Sequence, residues 1–364
     1  MIEWLQQENP ALQQELDELV RKLPGQSPYL LSSWRNAVQQ SYGFSPGVLV
    51  WREQNEIRGF LPYCCVRDIL GRCAFVSLPY CDVGGPVAIN AEIAEALVGF
   101  FAVHVCTQKP KGGEVRQQQV QQQNRQENQK NNAAERNESF LSGKKVNMQL
   151  CLPDNESALL TAFSAKLRSQ IKKASKNGLT AKVLTDASGL EDFYKVYSQN
   201  MHRLGSPAHS KAWFAAVLQH YQANNEAILA LVCLDKQVVG AAIVLLCNEE
   251  AVIPWASTIA EFNSLAPNML LYWSVQAWLC QNGVRRFNFG RSTYGEGTYK
   301  FKKQWGAVPE LLLWQRFNSA GQVTEQISVA APGKLRTLAE QIWRTLPEPW
   351  MTSLGSRLRR YITL

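Results

Sequence analysis

The stretch that decides the fold is residues 266–306, APNMLLYWSVQAWLCQNGVRRFNFGRSTYGEGTYKFKKQWG. Its first part, 266–284, is an apolar run of helical length that stops at Gly283, where glycine accepts the left-handed conformation that ends a helix. RFNFG (286–290) then alternates like a strand, and glycines at 290, 295 and 297 make a loop. Thr298 to Trp305 has the length of a short helix, so helix, strand, glycine-rich loop and helix follow in order. Arg291 and three lysines gather where the strand ends, which is where α/β proteins usually place their ligands.

Working outward, AILALVCLD (227–235) and QVVGAAIVLLC (237–247) form a hairpin, and AVIPWAS (251–257) is a further strand. Helices are expected over 156–179, 188–204 and 210–222, strands over 146–152, 181–185 and 310–317, and helix again over 333–360. The first half repeats this order in shorter form. Helices over 1–22 and 27–43 lead, the second capped by Ser27 with Pro28 in its first turn. Strands at 47–53 and 56–68 join through Gln54-Asn55, a strand at 73–79 follows, then a glycine-rich turn (80–88) and a helix (90–106). The fold class is mixed α/β. The expected divisions are an N-terminal helix (1–26), a first domain (27–152), a second domain (153–330) and a basic helical tail (331–364). The repeated order suggests duplication.

Within the first domain, the run QQQVQQQNRQENQKNN has too little apolar surface to fold alone, and 108–143 is expected to be a disordered insertion. The net charge of +8 is concentrated: 107–145 carries +4 and 331–364 another +4, so the rest is balanced. That distribution argues against a long nucleic-acid channel. The nine cysteines lie scattered, mostly in apolar runs, and read as reduced core residues. With four histidines and no CxxC or HxxxH spacing, no metal site is expected. No apolar run reaches membrane-spanning length, and the polar, acidic N-terminus lacks signal-peptide order, so a cytoplasmic protein is expected.

With these elements placed, residues 265–314 resemble the FemAB-like branch of the GNAT acyltransferases. The likeness is nearest to the FemAB-family proteins associated with exosortase and exopolysaccharide gene clusters. FVSLPYCDVGGPVA (75–88), FSAKLRSQIKKASKNGL (163–179) and YSQNMHRLGSPAHS (197–210) extend it over most of the chain. The resemblance implies two tandem GNAT-like domains with an interdomain cleft, and transfer of an acyl or aminoacyl group to an amine. It implies no permanently bound cofactor; acyl-CoA and aminoacyl-tRNA both stand as co-substrates. The implied acceptor is an amine-bearing cell-envelope or exopolysaccharide precursor, which places the protein in the cytoplasm or at the inner membrane face. Relatives often carry Asp ahead of the FGRS segment where this chain has Asn288, so a carboxylate base is missing at that position. The turn before the helix at 266, STIAEFNSLAPN (257–268), has no glycine, unlike the usual coenzyme A signature.

Direct acyl transfer needs a neutral amine held near a carbonyl, stabilisation of the oxyanion and a proton acceptor. Arg291, at a strand end, has the fork geometry for phosphate or carboxylate, or for closing the sheet on its helix. Gly290, Ser292, Gly295 and Gly297 suit either a donor loop or an ordinary turn. Lys302 suits a phosphate or acyl carbonyl, or plain solvation. Asn268 can cap its helix or leave those amides to an anionic donor. Tyr272, one turn on, is a candidate proton donor or a core residue. Tyr80, Asp82 and Gly84 form a polar turn in which Asp82 is the best carboxylate for orienting an amine; Asn200 and Arg203 stand where a helix yields to Gly205. Lys166, Arg168, Lys172, Lys173 and Lys176 make one helix basic, suited to tRNA, a phosphorylated lipid or a glycan, or simply to solvent. The tail from Trp350, with leucines and three arginines, reads as a docked helix or a peripheral membrane contact. The alternative to an enzyme is a catalytically silent GNAT-fold scaffold that binds glycan or biosynthetic partners.

Overall fold

The computed structural model describes residues 2–6, 8–118, 140–325, 343–345 and 348–363. The chain divides into two α/β units, each drawn from separate stretches. The first holds Met1–Glu15, Ser45–Leu150 and Asn288–Ala330; the second holds Leu16–Phe44, Cys151–Phe287 and Ala331–Leu364. The mixed α/β class is as expected, but the cuts are not sequential. Residues 288–330 join the first unit because β13 (Val308–Asn318) pairs with β6 (Gly112–Gln118), Arg316 opposite Glu114. Residues 16–44 join the second because α2 (Ser32–Tyr42) carries Trp34 edge-on to Trp213, 5.2 Å between rings.

In the first unit, Gln54 and Asn55 take left-handed φ of 50° and 69°, the geometry of a two-residue hairpin turn. They join β2 (Ser45–Glu53) to β3 (Glu56–Arg67). The sheet runs β1 (Ile2–Leu5), β2, β3, β4 (Cys73–Val76), β6, β13, β7 (Lys145–Cys151), with β5 (Val87–Ala88) beside β3 and β14 (Val323–Glu325) beside β13. Only the β4–β6 pair is parallel among its registered pairs. Helix α3 (Ala91–Gln108), capped by Asn90, buries Ile93, Leu97, Phe101 and Val105 at helical spacing. They pack against Leu49, Leu61, Phe75, Val115 and Phe317. Each such side chain contributes about 1.5–3 kcal/mol on burial.

In the second unit, β8 (Leu179–Leu184), β9 (Ala227–Leu234), β10 (Gln237–Cys247) and β11 (Glu250–Thr258) form an antiparallel meander. Its central strands are buried along nearly their whole length, as their continuous apolar runs require.

Several expectations are corrected. The N-terminal 1–26 helix is a strand, β1, paired to β2, and then α1 (Pro10–Lys22). Trp4 on β1 donates to the Tyr63 hydroxyl. The helix expected over 156–179 is two, α4 (Glu156–Ala162) and α5 (Ala165–Lys176). Phe163 is extended and buried against Trp273, and Ser164 restarts the helix by accepting from Leu167 N–H at 3.2 Å. Of the insertion expected over 108–143, residues 112–118 form β6, whose pairing on both edges supplies what its composition lacks; 119–139 lie outside the described residues. Cys65 and Cys73, read as reduced, form a disulfide across the β3–β4 hairpin. Among the described residues no helix is long and apolar enough to cross a membrane, and no group of three or more His, Cys, Asp or Glu could hold a metal.

The remaining helices are α6 (Leu190–Leu204), α7 (Lys211–Gln222), α8 (Pro267–Gln281), α9 (Gly297–Lys303) and α10 (Glu348–Arg359). Helix α10 docks within its unit. Gly355 lies against Ala208, Arg359 Nε donates to His209 Nε2 at 3.0 Å, and Arg360 sits over Phe44. The part of the tail over 331–342 lies outside the described residues.

Candidate functional site

β12 (Arg286–Thr293) ends in a kink that Asn288, Gly290 and Lys302 hold. Gly290 has φ of 75°, a backbone turn that a side chain would strain. Asn288 Oδ1 accepts the Gly290 N–H at 2.7 Å. From α9, Lys302 Nζ donates to the carbonyls of Gly290 and Arg291 at 3.0 and 2.9 Å. Lys302 is 8% exposed. Burial pulls its pKa down to about 8; the Asp82 carboxylate opposes this and Arg291 adds to it. Lys302 therefore grips the backbone around Arg291 and does not project into solvent.

The kink aims Arg291 at Asp82. The Arg291 backbone N–H donates to Asp82 Oδ2 at 3.3 Å, and its Nε lies 3.4 Å from Oδ1. Trp314 on β13 closes the group: its indole N–H donates to the Asp82 carbonyl at 3.0 Å, and the Arg291 guanidinium carbon lies 5.2 Å from its ring. Arg291 keeps 29% of its side chain exposed and Asp82 20%, so both charges remain open to a ligand.

Beneath them, Arg116 is fully buried, 5.0 Å from the Trp314 ring. It reaches Glu114 at 2.7 Å and the carbonyls of Leu78 and Cys81 at 3.0 and 2.8 Å. Burial pushes the Glu114 carboxyl up, but Arg116 and Arg316 outweigh it and hold it below the usual carboxylate range. These bonds fix the loop that carries Asp82. Tyr80 in that loop is buried with φ of 65°, and Gly84 N–H donates to the Arg116 carbonyl at 2.8 Å. A Cβ on Gly84 would come within 2.6 Å of the Leu78 Cβ, so only glycine fits there.

The structure thus brings Tyr80, Asp82, Gly84, Gly290, Arg291, Ser292 and Lys302 together in the first unit. Ser292 Oγ is buried without a hydrogen-bond partner. Gly295 (φ 82°) turns the chain and Gly297 opens α9. Four candidates lie in the second unit. Asn268 is not the cap: Ala266, at φ 65°, holds that position with Pro267 first in α8, leaving Asn268 two residues past it. Tyr272 is buried, and burial pushes its phenol pKa up, which disfavours giving a proton away. Asn200 Nδ2 donates to Ser257 Oγ at 3.2 Å and its Oδ1 accepts from Arg203 at 2.9 Å. The basic face of α5 is exposed at Lys166, Lys172, Lys173 and Lys176. Sequence reasoning missed Trp314, Arg116 and Glu114; the last two stood beside the glutamine run, which masked the strand signal of GEVRQ.

Residues 162–303 match the family described as the acetyltransferase (GNAT) domain. The match runs through the second unit and on through the Asn288 kink, Arg291 and α9. In fold, the chain is similar to FemX, at 15% identity over 93% of this chain and 100% of that one, with a TM-score of 0.61. It is also similar to L-PGS from Bacillus licheniformis, at 11% identity over 92% and 96%, with a TM-score of 0.51. Among curated proteins, none matches by sequence. The FemAB-like resemblance therefore holds at the level of the GNAT domain and the fold.

Proposed function

We propose that the protein is an N-acyltransferase or aminoacyltransferase that moves an acyl group to an amine on a cell-envelope or exopolysaccharide precursor. The observation that carries this is the continuity of the GNAT match with the strand, kink and helix that hold Arg291 against Asp82. Arg291 receives the anionic part of the donor or the developing oxyanion, and Asp82 orients both Arg291 and the incoming amine. Lys302, Asn288 and Trp314 are positioning residues. Gly290, Ser292, Gly295 and Gly297 line the donor loop. Within the second unit, Asn268 and Tyr272 are assigned to the donor, and Asn200 and Arg203 to the acceptor.

The donor is acyl-CoA or an aminoacyl-tRNA, used as co-substrate and not retained. Glycine-free 257–268 weighs against a coenzyme A cradle of the usual kind, and the basic face of α5 suits a polyanionic donor. The second reading, a silent scaffold, draws on the internal partners that Asn288 and Lys302 already have. Thermal stability measured separately with acyl-CoAs and with charged tRNAs discriminates the two. A shift with one donor class that Arg291→Ala removes supports catalysis; no shift with either favours the scaffold.

A further inference from the structure

The tip of the β3–β4 hairpin is built as a rigid loop that displays two aliphatic side chains. Asp68 Oδ1 accepts from the N–H groups of Leu70 and Arg72 at 2.9 and 3.0 Å, and its Oδ2 lies 2.7 Å from Arg72 Nη2. Asp68 and Arg72 are also joined through backbone, Asp68 N–H to Arg72 carbonyl, at 3.0 Å, and Arg67 donates to the Gly71 carbonyl at 3.2 Å. The Cys65–Cys73 disulfide ties the strands at the base. Above this network Ile69 is 75% exposed and Leu70 68%, the two most exposed large apolar residues among those described. Exposed Arg67 and Arg72 flank them in the loop, exposed Lys111 brings its Nζ to 3.6 Å from Asp68, and Lys109, two residues earlier, is exposed as well. Two of these cations, Arg72 and Lys111, reach the Asp68 carboxylate, while Arg67 donates to a backbone carbonyl.

An apolar pair with exposed cations beside it does not suit a protein interior, where the charges would lose their hydration. It suits an interface that is apolar below and anionic at the surface. We propose that this hairpin tip is a membrane contact, inserting Ile69 and Leu70 among the acyl chains of an anionic bilayer while Arg67, Arg72, Lys109 and Lys111 meet its headgroups. The contact belongs to the first unit, whereas the tail that its sequence also suits to a membrane belongs to the second. It is independent of the acyl-transfer reading and stands or falls without it.

Co-sedimentation of the full chain with vesicles of equal phosphatidylglycerol and phosphatidylcholine, against vesicles of phosphatidylcholine alone, tests it. The protein should partition onto the anionic vesicles. The double variant Ile69→Asn/Leu70→Asn should lose roughly 100-fold in partitioning, about tenfold per side chain. Lys109→Gln/Lys111→Gln should lose roughly 25-fold on anionic vesicles, about fivefold per charge, as expected of a surface potential. The exposed tip makes unchanged melting the folding control for both. Failure of the wild-type chain to bind either vesicle, or equal binding by the Ile69→Asn/Leu70→Asn variant, would overturn the proposal. So would a tip variant that keeps its vesicle binding but halves the sedimenting mass, because the tip would then cover a second copy of the chain.

Discussion

Replacing Lys302 by methionine keeps the length of the side chain and removes its charge. The lysine pKa is 10.5 in the unfolded chain and about 8 in the folded one. Below pH 8 both states hold the proton, and burial of the charge costs the fold about 3 kcal/mol. Between pH 8 and 10.5 the unfolded state binds the proton and the folded state does not, so stability rises with pH. Above 10.5 the cost is gone. For these values the gain between pH 7.5 and 9.5 is about 2 kcal/mol. Urea unfolding of the wild type and of Lys302→Met at both pH values isolates it, since all other titrating groups are common to both. The wild type should gain about 2 kcal/mol relative to the variant over that interval. A difference constant to within about 0.5 kcal/mol would refute the claim that the lysine charge is buried against backbone carbonyls.

Arg291→Ala should remove the donor-induced thermal shift and lower transfer by at least about 100-fold, whereas Arg291→Lys, which keeps charge but not the fork, should restore only part. Activity undiminished in Arg291→Ala would exclude this residue from the site. His209 is buried, and burial together with the facing Arg359 drives its pKa well below 6.5. Tyr42, Tyr194 and Tyr197 are also in contact with it. The unfolded chain takes up the proton first, so stability should fall by up to about 1.4 kcal/mol per pH unit below pH 6.5. His209→Phe, compared by urea unfolding, should flatten that slope; an unchanged slope would contradict it. Phe101→Ala, which empties the centre of the α3 face, should cost about 3–5 kcal/mol by the same method.

Much of this architecture is legible in the sequence because the strands have clean ends. Gln54-Asn55 turns β2 into β3, and Gly178, Gly205 and Gly283 stop helices where glycine allows left-handed backbone. What escaped depends on contacts distant in sequence. β1 and β6 are strands because their neighbours pair with them, and neither has a strong apolar period of its own. The break at Phe163 follows from burying one aromatic ring against Trp273. In the site, Arg291 and Asp82 were each legible as chemistry, but 209 residues of sequence separate them, and they meet only because 288–330 folds with the first unit. Trp314 gave no sign of its role, since in ELLLWQRF an indole reads as core.

The central claim, acyl transfer to an amine through the Asp82–Arg291 site, is tested most directly by mass spectrometry of amine acceptors. They are incubated with the protein and either acyl-CoAs or aminoacyl-tRNAs. The account predicts an amide product with one donor class, lost in Arg291→Ala while that variant melts normally. No product with either donor class, or product formed equally by Arg291→Ala, would contradict it.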